Sequence, residues 1–423
     1  MKLQLVSLQF VIKWLLICII VGFVVGSASA FFLVALDWAT HYRESHTWLI
    51  WLLPLAGLVV GGIYHYWGAS VAKGNNQLIE ELQKSTQTIP LLMMPMILVT
   101  TVITHLFGGS AGREGTAVQM GGALADNLYL WGSKLTGKLG FKRDTIHFDR
   151  KIILIVGISA GFASVFGTPL AGTVFALEVA IIGKMRYEAI LPSLLGAIIA
   201  DYVCQSVWHV GHTHYVVSEQ TTLIPTSLVW AMLAGAIFGL MGLAFAKMTH
   251  AWGNFFKQKV SYPPLRAVIG GVFVAILLIG FKAERYSGLG VPVIVEAFQK
   301  SVNWYDFLGK TFFTSLTLGS GFKGGEVTPL FYIGATLGNT LSTIIPLPLS
   351  LLAAMGFVGV FSGASNTPLA CTLMGIELFG AESAVFIAIS CITSYLFSGH
   401  IGIYASQIVG GNKAPMKEIN EFF

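Results

Sequence analysis

Gly167-Thr168-Pro169-Leu170-Ala171-Gly172-Thr173 recurs as Asn366-Thr367-Pro368-Leu369-Ala370-Cys371-Thr372. The register extends in both directions: Gly157 matches Gly356 and Glu178 matches Glu377, all at an offset of 199. Upstream, Glu114, Thr116, Gly122, Ala123 and Asn127 match Glu326, Thr328, Gly334, Ala335 and Asn339 at an offset of 212. Apolar helices often resemble one another by chance, but Thr-Pro and Glu held in fixed register do not. An internal repeat in an apolar chain predicts two halves, of opposite topology, meeting at a substrate site near the middle of a bilayer.

The composition agrees. Of 423 residues 55% are hydrophobic, 11% are charged and 48 are glycine, beyond what a soluble core accommodates. Residues 8–36, 47–67, 89–107, 152–166, 169–183, 188–206, 226–248, 265–281, 327–343 and 348–398 read as membrane-embedded, several of them too short to span alone. The fold class is therefore all-α, a polytopic integral membrane protein with inverted repeats and broken helices. Repeat one covers about 10–206 and repeat two about 226–409, in a single transmembrane domain over 1–423 with no C-terminal soluble domain expected. The first run, Phe10 to Leu36, lacks a polar cleavage region and reads as a retained helix.

Orientation follows from the basic residues. The stretch 134–151 carries Lys134, Lys138, Lys142, Arg143, Arg150 and Lys151 against Asp144 and Asp149, which marks a cytoplasmic loop. Residues 208–225 contain no Lys or Arg and fall outside, whereas 249–266 falls inside and divides the chain near its middle. Both termini are then expected in the cytoplasm, at the cell membrane. The net charge of +5 reflects topology, not nucleic-acid binding. Cys18, Cys204, Cys371 and Cys391 have neither metal nor disulfide spacing and read as packing residues.

Two motifs are decoys. Gly319-Ser320-Gly321-Phe322-Lys323-Gly324 fits a dinucleotide fingerprint but follows no strand. His209, His212 and His214 lack a further metal ligand nearby, so they read as an exposed loop with no metal.

Gly112-Arg113-Glu114-Gly115-Thr116 places an acid inside apolar sequence. A charge near the bilayer centre costs about 3 kcal/mol on insertion scales, so Glu114 is expected to have a task. Thr168-Pro169, Thr328-Pro329 and Thr367-Pro368 read as helix starts, with Thr as N-cap and Pro at the first helical position. Free amides at such starts favour an anion. Gly112, Gly115, Gly324 and Gly325 let backbone amides approach one, whereas Gly22, Gly26, Gly235 and Gly239 read as helix-packing glycines. Arg113 is expected to hold its loop or raise the local potential instead of pairing with Glu114, because adjacent side chains at a helix start diverge. Glu178 and Glu377 read as structural acids relieved by hydrogen bonds.

The Gly112-Arg113-Glu114-Gly115 and Gly325-Glu326-Val327-Thr328-Pro329 motifs, the Thr-Pro-Leu-Ala segments and Tyr404 resemble the CLC anion channels and transporters over nearly the whole chain. The resemblance implies a homodimer with one anion pathway per subunit. Chloride-handling members mostly carry Pro where this chain has Thr116, and a Gly-Ser-Gly loop where it has Gly74-Asn75-Asn76. Their second motif ends Phe-Ala-Pro, where this chain has Val327-Thr328-Pro329 after Glu326. These departures resemble the fluoride branch, whose members exchange fluoride for protons. The inner proton-transfer glutamate of chloride exchangers aligns with Val179, so Glu326 is expected as the second acid. The resemblance thus implies fluoride export coupled to proton uptake, with Glu114 as the gating carboxylate. Anion contacts would come from Gly112, Arg113, Gly115, Thr116, Asn75, Asn76, Val327, Thr328 and Tyr404, with fluoride, protons and the bilayer as partners and no cofactor. The alternatives are a chloride/proton antiporter or passive anion channel of the same fold and, more remotely, a membrane-embedded enzyme using the two acids. Absence of a metal cluster, nucleophile motif or nucleotide loop argues against the enzyme.

Overall fold

A computed structural model describes residues 2–138, 146–219 and 221–413. Among these, helices α1 (Lys2–Ser45), α2 (Leu53–Tyr66), α3 (Asn75–Lys84), α4 (Met93–Leu106), α5 (Glu114–Lys138), α6 (Ile146–Phe166), α7 (Pro169–Glu178) and α8 (Ile190–Tyr202) form the first half. The second half repeats the order: α9 (Pro225–Lys259), α10 (Pro263–Gly280), α11 (Val291–Gln299), α12 (Asp306–Gly319), α13 (Val327–Leu341), α14 (Leu349–Ser365), α15 (Pro368–Phe379) and α16 (Ala384–Phe397). Strands β1 (Ile181–Ile182) and β2 (Ile408–Val409) pair in parallel. Five helical stretches are long and apolar enough to cross a bilayer. Others are not: α7 has 10 residues, roughly 15 Å of helix against a hydrocarbon core of about 30 Å. Such half-length helices are tolerated only where protein surrounds their ends.

Equivalent helices pack alike in the two halves. Helix α1 lies on α8 and α9 on α16, α5 on α6 and α13 on α14. Small residues make this possible. A methyl group on Gly26 would lie 2.5 Å from the Ala200 carbonyl oxygen, and one on Gly239 would lie 2.3 Å from that of Ser394. The four cysteines are buried thiols.

The structure alters several boundaries. The run 348–398 is three helices, α14 to α16. Helix α9 continues to Lys259 and α10 begins at Pro263, so 249–266 is mostly helix and the break in element order falls between α8 and α9. Of the basic stretch 134–151, residues 139–145 lie outside the described residues. Arg150 there is not a loop charge: it is buried, with Nε 2.7 Å from Asp126 Oδ1 and Nη1 3.4 Å from Glu81 Oε2. Helices α5 and α12 lie outside the predicted runs because of their polar content. In α12, Asp306 accepts from Tyr286 Oη at 2.8 Å and Lys310 donates to the carbonyls of Gly288 and Tyr286 at 2.6 and 3.1 Å. Pairing of this kind makes such side chains affordable inside a fold.

Candidate anion site

The two repeated motifs meet. Gly112 and Gly325 form an isolated antiparallel bridge, which sets the loop before α5 against the loop before α13. Both helices therefore start in the protein interior and point their first amides toward each other's loop. Contact is close enough to require glycine: a Cβ on Gly325 would sit 2.9 Å from the Gly115 nitrogen and 3.1 Å from those of Arg113 and Glu114.

Glu114, the first residue of α5, is fully buried. Its carboxylate lies on the start of α13, accepting from the Thr328 amide at 3.0 Å and from the Thr328 hydroxyl. The Arg113 amide donates to it at 3.1 Å. Arg113 Nε also lies 3.4 Å from Glu114 Oε1, which corrects the expectation that these neighbours diverge. Arg113 precedes the helix, so helical geometry does not fan the two side chains apart. The arrangement is that of a negative charge held by a helix N-terminus, two backbone amides, a hydroxyl and a guanidinium.

Thr328 is not the N-cap of α13. The helix begins at Val327 with Glu326 in the cap position, which frees both the amide and the hydroxyl of Thr328 to face Glu114. Among the described residues no hydrogen bond or ion pair reaches the Glu326 carboxylate, and the residue as a whole is of intermediate burial. Tyr404 is buried, packs edge-on against Phe175 with centroids 6.3 Å apart, and lies within electrostatic reach of both Glu326 and Glu114.

Other anticipated anion contacts divide. Asn75 opens α3 and its Nδ2 abuts Gly115, 2.8 Å from where a Cβ would sit, while its buried Oδ1 has no partner. Asn76 turns its Oδ1 to the Ser406 amide at 3.0 Å, so it anchors the segment that carries Tyr404. The Thr116 hydroxyl is committed to Thr101 at 2.8 Å, which ties α5 to α4 and leaves no hydroxyl directed at Glu114. Gly112 has its amide taken by Gly325.

The remaining Thr-Pro starts are occupied. Glu377 accepts from the amides of Leu170 and Ala171, both at 2.8 Å, and Glu178 accepts from Leu369 and Ala370 at 3.3 and 3.0 Å. Each repeat supplies the carboxylate that satisfies the other's helix start. This corrects two expectations: these helix starts hold protein carboxylates instead of a free anion, and neither Thr168 nor Thr367 caps with its hydroxyl. Proline still occupies the first helical position of both.

The 208–219 segment contributes to the site although its polar sequence gave no such signal. His209 and His214 are exposed, but the His212 side chain is only 8% exposed. His212, Thr213 and Tyr215 roof a chamber of about 20 Å³ whose walls include Glu114, Arg113 and Thr328. A wider cavity of about 510 Å³ shares Arg113, Thr213 and Val291 with it and is lined also by Arg43 and Arg285.

The family profile described as voltage gated chloride channel matches residues 56–399. The chain belongs to this CLC family. It is a multi-pass membrane protein with the CLC anion transporter fold. It is 52% identical over 416 residues to the "Chloride/fluoride channel protein" of Pseudomonas syringae pv. tomato, covering 97% of this chain and 89% of that one. It is 24% identical to the "H(+)/Cl(-) exchange transporter ClcA" of Vibrio parahaemolyticus, over 94% of this chain and 87% of that one. A crystal structure of a CLC-type fluoride/proton antiporter superposes with a TM-score of 0.89 at 34% identity, covering 94% of this CLC protein and 98% of the other. A slow cyanobacterial Cl-/H+ antiporter superposes at 0.77 with 19% identity, covering 93% and 96%, and shares the fold alone.

Proposed function

We propose that this CLC protein exchanges fluoride for protons, exporting fluoride from the cytoplasm. The observation that carries the reading is the Glu114 carboxylate lying on the first turn of α13, held by the amide and hydroxyl of Thr328. An ionised Glu114 occupies a site that suits an anion; protonated, it loses its electrostatic hold on those donors and yields the place. Anion occupancy and protonation are then linked, and linkage of this kind is reciprocal. Fluoride suits the site because it is small and strongly hydrated, so it needs hydrogen-bond donors to replace its water. The Thr328 hydroxyl and amide and the Asn75 amide group supply such donors. Glu326 is the second protonatable group, one helical position before Val327, and Tyr404 approaches from the inner side. Val179 is buried and carries no proton, which leaves that task to Glu326.

In this reading the subunit is one transmembrane domain of two repeats, about 10–206 and 226–409, and two copies form a homodimer. Its termini face the cytoplasm, and the cavity of about 510 Å³ opens outside. It acts as a transporter and not as an enzyme. Efflux from liposomes containing the purified protein, with fluoride and chloride compared at equal gradients while external pH is recorded, tests the reading. Fluoride efflux with proton uptake and little chloride movement is expected. Comparable chloride flux returns the protein to chloride/proton exchange, and fluoride flux without a pH change makes it a channel.

A further inference from the structure

His212 has both ring nitrogens buried without a hydrogen-bond partner. A buried polar group left so is costly unless water reaches it or it has a use. Its Nε2 lies 3.6 Å from Asp201 Oδ1, whose side chain is 16% exposed and accepts from Gln205 Nε2 at 2.7 Å. That spacing is too long for a direct bond and is suited to a bridging water or a small ring movement. The ring also borders the chamber that Glu114 lines. The chamber, at about 20 Å³, is large enough for roughly one water molecule. The charged or titratable groups around the ring are Asp201 from α8, Arg113 and Glu114 from the start of α5, and Tyr215 from its own segment; Glu377 of α15 is within electrostatic reach of Asp201.

The wider cavity adjoins the chamber, with Arg113, Thr213 and Val291 in the lining of both. Arg43, Arg113 and Arg285 line the wider cavity together with Asp37, Glu44 and Glu284, so neither sign of charge prevails there. Asp201 lies outside the linings of both spaces and meets the chamber by way of His212.

We infer that His212 is a proton-relay residue that connects the outer solution, by way of Asp201, to Glu114. The inference rests on the antiport reading above. A proton taken up at Nε2 beside Asp201 gives the imidazolium; the ring then releases a proton to water in the chamber, which passes one to Glu114, and the ring returns to neutral. Histidine suits this because its two nitrogens exchange a proton near neutral pH.

Proton uptake and fluoride efflux measured together in liposomes, across a range of external pH, test it on the wild type, His212→Ala, His212→Gln and Asp201→Asn. Both His212 variants are expected to slow coupled turnover by about a hundredfold while the fluoride-to-proton ratio stays fixed. Asp201→Asn should slow it less. Added external imidazole should restore His212→Ala and not His212→Gln, a response that a purely structural role would not give. Wild-type rates in both His212 variants, or a slow His212→Ala that imidazole leaves slow, overturns the relay. If His212→Ala fails to fold, the isosteric His212→Gln decides by its rate alone. Absence of coupled proton movement in the wild type removes the antiport reading and the relay with it, whereas a coupled wild type with indifferent variants removes only the relay.

Discussion

Gly112 and Gly325 exchange both of their backbone hydrogen bonds, 2.6 Å from the Gly112 amide and 2.7 Å from the Gly325 amide. The pair ties together the two loops that present α5 and α13 to one carboxylate. The backbone separation of Glu114 and Thr328 is thereby set by main chain, while the Glu114 side chain keeps its own rotamers.

Gly325→Ala is expected to disturb that setting. The new methyl meets three amide nitrogens at 2.9 to 3.1 Å, and main chain yields poorly, so destabilisation of about 1–3 kcal/mol is expected. Thermal unfolding in detergent should show a lowered Tm with transport largely lost. An unchanged Tm and flux would mean that the loops are not in contact.

Glu114→Ala removes the carboxylate from the start of α13. Proton uptake with fluoride should vanish, while fluoride flux persists because the anion meets no competitor. A liposome assay recording both ions decides; persistent proton movement sinks the gating role.

Glu377→Ala leaves the amides of Leu170 and Ala171 without their acceptor. Two charge-assisted bonds at a helix start are worth about 2 kcal/mol, and Glu178→Ala should cost a similar amount at Leu369 and Ala370. Glu377→Gln, which keeps one acceptor oxygen, should lose less. Equal melting curves for all three variants and the wild type would refute the capping role.

Asp126→Asn strips the charge from the partner of buried Arg150. Breaking a buried ion pair from one side costs about 3–5 kcal/mol, and Asp126 Oδ2 also accepts from the Ile89 amide at 2.7 Å. The double variant Asp126→Asn with Arg150→Met should recover part of the loss. Chemical unfolding monitored by tryptophan fluorescence reads the difference.

Glu80 gives an acid-side signal. Lys73 donates to it at 2.7 Å and Ser406 Oγ at 3.0 Å; the Lys73 bond, ahead of the others, holds its carboxyl below the ordinary value of 4.5. An acid whose value is lowered by folding stabilises the fold above its unfolded value, and that contribution is lost as pH falls through the lowered one. The site is solvated, so the effect stays within about 0.5 kcal/mol. Wild type and Glu80→Gln should differ slightly in Tm at pH 7 and converge in strong acid.

Sequence carried much of this arrangement because repeated, chemically specific residues survive in an apolar background. Glu114 with Glu326 and Thr168-Pro169 with Thr367-Pro368 locate the broken helices through offsets alone. What escaped was tertiary. Arg150 reads as a loop charge until Asp126 and Glu81 are seen around it, and nothing local marks its burial. Helix α12 is masked by Asp306 and Lys310, whose partners lie more than one turn away. His212 sits in a polar segment whose inward fold depends on the chamber beneath it, and a period or motif cannot report that. Asn76 and Thr116 were placed near the anion by motif position, yet their side chains serve Ser406 and Thr101.

The exchanged carboxylates of Glu178 and Glu377 also bear on biosynthesis. Leu170 waits for an acceptor that lies 207 residues further along the chain. While the chain is being made, the start of α7 therefore lacks this acceptor until α15 has been synthesised. The first half is an incomplete product on its own, and late truncations should leave it exposed to quality-control proteolysis even though every residue of that half has been made.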